Sequence, residues 1–92
     1  MRRYSLGIKI DSGFSDLIEL VSIAQFSLKA ERVLSLSKAI TKNDVIKFLL
    51  YALHELNSIE MKHFLDLSSK MEEIGMMLYG WKNQALKQME VK

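Results

Sequence analysis

Apolar residues recur every three or four positions along this chain, in three blocks separated by short polar interruptions. The last block is the clearest. Phe64, Leu67, Met71, Ile74, Leu78, Trp81 and Ala85 fall on one stripe of a helix, with the spacing of a helix-on-helix seam. The first block sets Ile10, Phe14, Leu17, Ile18, Val21 and Ala24 in the same rhythm. The middle block reads Val33, Leu34, Leu36, Ala39, Ile40, then Val45, Ile46, Leu49, Leu50, Leu53 and Leu56. The pattern predicts an all-α chain with helices over about 6–26, 29–56 and 59–87.

The boundaries come from the residues between the blocks. Ser5 is positioned to cap the first helix, which leaves Met1–Tyr4 as an arm. Ser27-Leu28 and Asn57-Ser58 are the two breaks, with Ser58 as cap of the third helix and Glu60 in its first turn. Ile40–Asp44 is the weakest part of the middle block, yet the stripe continues across it, so one long helix is expected there. No proline interrupts any block. Connections this short make consecutive helices antiparallel neighbours, an up-down-up bundle.

Two features ask for additional packing partners. Gly75 and Gly80 sit inside the third helix, where each costs about 1 kcal/mol relative to alanine. Close approach of another helix would offset that cost, so the third helix reads as the surface on which other helices dock. Phe48-Leu49-Leu50-Tyr51-Ala52-Leu53 is apolar nearly all round, the mark of a helix buried on most sides. Phe48, Tyr51, Ile74, Gly75, Leu78, Gly80 and Trp81 are therefore the candidate packing and oligomer-interface positions.

Length agrees with this need. Ninety-two residues make one domain, 1–92, with a thin core. There is no cysteine, hence no disulfide or thiolate metal site to reinforce it, which favours oligomerisation. No apolar run reaches the roughly 18–20 residues that cross a bilayer, and Lys9 and Asp11 interrupt any signal-like stretch after Arg2-Arg3. A cytoplasmic protein without membrane contact is expected.

The formal net charge is only +2, but the basic residues gather at the ends. Arg2, Arg3 and Lys9 stand near the start, Lys82 and Lys87 near the finish. These five are the candidate phosphate contacts, with Tyr4 able to stack beside Arg2 and Arg3. Two basic ends are weaker than one basic face, since nucleic-acid binding sums several phosphate contacts on one surface. Assembly of several copies would bring ends together.

Other chemistry is absent from the pattern. His54 and His63 have no histidine three or four residues on, and His63 with Asp66 falls short of the about four ligands of a closed zinc site. Glu72 and Glu73 are adjacent and point to different helix sides, so they do not converge as an acid–base pair. No glycine-rich phosphate loop or nucleophile elbow occurs. The expectation is a non-enzymatic protein with no catalytic residue, metal or cofactor. Met71, Met76 and Met77 read as core and interface filling, and Trp81 beside Gly80 as either a knob at a helix crossing or an ordinary core aromatic.

Three stretches together carry a resemblance: Arg3-Tyr4-Ser5-Leu6-Gly7-Ile8-Lys9-Ile10, Lys47 to Leu56, and Glu73-Ile74-Gly75-Met76-Met77-Leu78-Tyr79-Gly80-Trp81. In this order and spacing they resemble the four-helix-bundle family that includes the accessory variability determinant (Avd) of diversity-generating retroelements. The same family holds bundle proteins encoded by intervening sequences in large-subunit ribosomal RNA genes. The resemblance implies a homo-oligomeric ring, pentameric in Avd, that associates with a reverse transcriptase and with RNA or DNA. It also implies a helix ahead of the Arg-Tyr-Ser-Leu-Gly segment, so the chain resembles three helices of a four-helix design completed by oligomerisation. Met76 stands where the family commonly has arginine, and Tyr79 where it commonly has a small residue. The missing arginine at Met76 and the modest net charge favour the alternative, a structural interaction module of the intervening-sequence type with no nucleic-acid role.

Overall fold

The computed structural model describes residues 2–90, with side chains from Ser5 onward. It consists of α1 (Arg2–Phe26), α2 (Lys29–Glu55) and α3 (Met61–Glu90). The middle block is one helix without interruption at Ile40–Asp44. The first helix begins at Arg2 rather than Leu6, so Ser5 lies within it and is not its cap. Nothing in Arg2-Arg3-Tyr4 breaks a helix, and a serine is a poor but tolerated interior residue.

Both links are tight. Leu28 is extended (φ −117°, ψ 144°) and its carbonyl accepts from the Glu31 N–H at 3.1 Å, which starts α2. The end of α2 is closed by its own backbone. Asn57 takes the left-handed conformation (φ 54°), the Ser58 N–H donates to the Leu53 carbonyl and the Asn57 N–H to the His54 carbonyl. That pair of bonds is the Schellman arrangement, with asparagine in the position usually held by glycine. Ser58 is therefore part of the α2 stop, not the cap of α3; its hydroxyl donates to the Leu56 carbonyl. Glu60 precedes α3, and its carbonyl accepts from the Phe64 N–H at 2.9 Å.

The core repeats every seven residues. Ile10, Leu17 and Ala24 of α1 are buried, as are Leu36, Asn43 and Leu50 of α2 and Met71, Leu78 and Ala85 of α3. Ala39 and Ile46 give α2 a second buried row with the same period. A strict seven-residue repeat is the condition for side chains to interlock along two helices. α2 has two such rows because it packs on both neighbours.

The antiparallel order is visible in the polar contacts. Between α1 and α2, Ser35 Oγ donates to the Leu20 carbonyl at 2.9 Å, Arg32 Nε to the Ala24 carbonyl at 2.9 Å, and Lys42 pairs with Asp16 at 3.4 Å. Between α2 and α3, Asn43 Nδ2 donates to the Met71 carbonyl at 3.1 Å, and Lys47 pairs with Glu72. At the hairpin end, His54 stacks on Phe64 with ring centroids 4.3 Å apart.

The expected docking helix is thus corrected. Within the chain both neighbours pack on α2, and no described Cα of α1 lies within 8 Å of one in α3. Gly75 does face a neighbour, since a Cβ there would lie 3.2 Å from Asn43 Nδ2. Gly80 is exposed and meets nothing. Ile18, placed in the first stripe, is 69 % exposed.

Candidate functional site

Among the described residues α1 and α3 both pack on α2 and not on each other, which leaves a gap between them bordered by all three helices. On α2, the residues meeting α1 (Ser35, Ile46) and those meeting α3 (Asn43, Lys47) lie about a quarter to a third of a turn apart at 3.6 residues per turn. With usual interaxial distances of about 8–10 Å, the α1 and α3 axes stand about 14 Å apart. The Cα extents of 52 × 21 × 14 Å agree, because a closed triangle of helices would be narrower in its second dimension.

The contacts to α2 also fix relative heights. α1 and α3 run in the same direction, with Phe14 level with Ile74 at the height of Asn43. Val21 is level with Trp81 at the height of Leu36, and Leu67 stands at the height of Leu50. Leu36, Asn43 and Leu50 are fully buried, whereas Phe14, Val21, Leu67, Ile74 and Trp81 are half-buried and packed against the core. These five flank the seam, and none is ionisable. Such a lining excludes water without binding charge, and it suits the apolar face of a helix.

The expected interface residues divide accordingly. Leu78 is core, Ile74 and Trp81 line the gap, and Gly75 touches Asn43. Phe48 and Tyr51 lie on the outer surface of α2, 68 % and 51 % exposed, so the apolar stretch of α2 is not enclosed by its own chain. The Tyr51 hydroxyl is held by Glu55, which raises its pKa above the ordinary value. Phe14, Val21 and Leu67 complete the site. Their stripes were legible, but which side of each stripe stays open depends on the angle at α2.

The candidate phosphate contacts are not brought together. Lys9 is exposed beside the end of the molecule that holds the C-terminus of α2; Lys82 is half-buried and Lys87 exposed toward the opposite end. From their heights, about 20 Å along the axis separates Lys9 from Lys82, and about 27 Å separates it from Lys87. The side chains of Arg2, Arg3 and Tyr4 lie outside the described residues. Among the described residues, no group of three or more His, Cys, Asp or Glu side chains converges on a point. His63 is exposed, and His54 buries its Nδ1 without a hydrogen-bond partner. No described helix is long and apolar enough to cross a membrane.

No protein-family model, curated protein or solved structure matches the chain. The described residues define an all-α arrangement of three helices in which α1 and α3 both pack on α2.

Proposed function

We propose that this chain is a non-enzymatic helical scaffold that works by packing helices, and that a helix from another copy fills the gap between α1 and α3. The observation that carries the reading is that α1 and α3 pack only on α2 and not on each other, while Phe14 and Val21 of α1 and Leu67, Ile74 and Trp81 of α3 are half-buried apolar residues packed against the core at matching heights. The 14 Å spacing derived above is that of diagonal members in a square bundle of four helices packed about 10 Å apart. A fourth helix would bury both walls. The homo-oligomer expected from the short core then follows, the pentameric ring being the form the resemblance implies.

In the more specific form of this proposal the scaffold is Avd-like. It carries a reverse transcriptase and its RNA or DNA, with Lys9, Lys82 and Lys87 among the phosphate contacts. Support for it is the resemblance in Arg3–Ile10, Lys47–Leu56 and Glu73–Trp81. The separation of the lysines into two poles favours the second reading, an interaction module of the intervening-sequence type that does not bind nucleic acid.

Size-exclusion chromatography with light scattering, recorded at protein and nucleic-acid absorbance, separates these readings. An assembly that carries nucleic acid, released by high salt, supports the Avd-like form. Neutralising Lys82 and Lys87 should then lower the salt slope by about 0.7–0.9 per lost contact. An assembly free of nucleic acid supports the interaction module, and a stable monomer contradicts both.

A further inference from the structure

A second apolar surface lies on the outer side of α1 and α2, turned away from α3. Three clefts of about 430, 410 and 210 Å³ follow one another along it. The first shares Lys42 and Val45 with the second, and the second shares Leu20 and Lys38 with the third, so they form one trough. From Leu49 to Glu31 along α2 the trough is about 27 Å long at 1.5 Å per residue. Its floor is apolar: Ile8, Val45 and Leu49 at one end, Leu20 in the middle, Ile23 and Leu34 at the other. Val45 and Leu34 are 46 % and 57 % exposed, large values for aliphatic residues, with Thr41 and Lys38 between them on the same face of α2.

The rim supplies the second constraint. Lys42 is neutralised by Asp16 across the trough. Lys9 on the α1 rim and Lys38 on the α2 rim take part in none of the ion pairs among the described residues. They stand on opposite sides, about 15 Å apart along the axis by the same rise. Glu31, the remaining ionisable group of the lining, lies in the first turn of α2, where the helix dipole partly compensates it. A straight groove between two helices, with aliphatic residues along its length and one lysine outside the ion pairs on each edge, is complementary to one amphipathic helix with acidic flanks.

We infer that the outer α1/α2 trough docks an amphipathic α-helix of another protein, about 18 residues long, with aliphatic anchors on one face and acidic residues along both edges. The inference is independent of what fills the gap between α1 and α3, because the two surfaces lie on different sides of the α1/α2 pair.

Fluorescence anisotropy tests it with synthetic peptides added to the full chain. One fluorescein-labelled peptide carries leucines at i, i+4, i+7 and i+11 with glutamates on both edges; the second replaces those glutamates by lysines. The acidic peptide should bind, weaken as salt rises, and exceed the basic one by about tenfold or more in affinity. Val45→Glu and Leu34→Glu, at exposed positions, should each reduce its binding by about tenfold or more with far-UV circular dichroism unchanged. Lys38→Glu should reverse part of the preference for acidic edges. Equal affinity for both peptides, or no binding by either, overturns the inference. So does conversion of an assembly to monomers by Val45→Glu, which would assign the trough to a second copy of this chain. A gap variant, Ile74→Asp, should leave peptide binding unchanged, so failure of the scaffold reading and failure of the trough are read separately.

Discussion

Replacing the four glycines one at a time by alanine should split them by their surroundings. In a helix interior the exchange ordinarily stabilises by about 0.8–1 kcal/mol. Gly80 and Gly7 have nothing within 4 Å of an added Cβ, so the full gain is expected at Gly80 and about 0.5–1 kcal/mol at Gly7, nearer the helix end. At Gly13 the new Cβ would lie 2.9 Å from Ile46 Cγ1 and 3.4 Å from its Cδ1. Ile46 is fully buried, and its branched side chain has essentially one rotamer in a helix, so the contact is relieved only by shifting α1 away from α2. Overpacking of that kind costs about 1–3 kcal/mol, which outweighs the helix gain and leaves Gly13→Ala destabilised by about 1 kcal/mol. Gly75 is intermediate, since its neighbour at 3.2 Å is the Asn43 amide, held by its bond to Met71. For a domain of this size 1 kcal/mol moves Tm by about 4–8 °C, so Gly80→Ala and Gly13→Ala should melt about 10 °C apart. Circular dichroism at 222 nm, at one fixed protein concentration, reads the difference. Equal stabilisation by both substitutions would refute the packing of Gly13 on Ile46. A loss of stability in Gly80→Ala would mean that something packs on Gly80 from outside the chain.

Further outcomes follow from the α2 contacts. Asn43→Leu should be neutral or stabilising by up to about 1 kcal/mol in urea denaturation, because Asn43 Oδ1 is buried without a partner and the Met71 carbonyl keeps its helical bond; a loss above about 2 kcal/mol would show that the amide bond dominates. Leu36→Ala, at a fully buried seam position, should cost about 2–5 kcal/mol by the same assay, and a loss under 1 kcal/mol would place Leu36 at a surface. Lys47 has its pKa raised chiefly by the hydrogen bond to Glu72. Its stabilising contribution is therefore fully present below the ordinary lysine pKa and lost as pH rises through the higher folded value. The pair is surface-exposed, so the effect is at most about 1 kcal/mol; Lys47→Met should remove it at pH 8 and change nothing once lysines are deprotonated.

Much of the fold was legible in the sequence because one physical rule, the three-and-four rhythm, sets each helix. It gave three helices, the short links and the continuity of α2 through Ile40–Asp44. The ends were less legible. Ser5 and Ser58 have good capping chemistry, but α1 starts earlier, and the backbone bonds of the Asn57 turn take up Ser58. The choice of central helix was misread from Gly75 and Gly80, since a missing side chain marks a close approach only when a neighbour stands there, and at Gly80 none does within the chain. The outer trough left a quieter signal: Ile8 and Ile23 lie off the main stripe of α1, and Leu34 and Val45, read together with the middle block, fall on the opposite side of α2 from Leu36, Asn43 and Leu50. Periodicity finds the strongest face of a helix and passes over a second one.

Trp81, the only tryptophan, sits in the wall of the gap and reports on it directly. Its fluorescence, followed with light scattering over a dilution series, tests whether a helix from another copy covers that wall. The account predicts that emission shifts to the blue and acrylamide quenching falls as the protein assembles, and that Ile74→Asp abolishes both changes. Assembly that leaves Trp81 emission and quenching unaltered, or a monomer at every concentration, would contradict it.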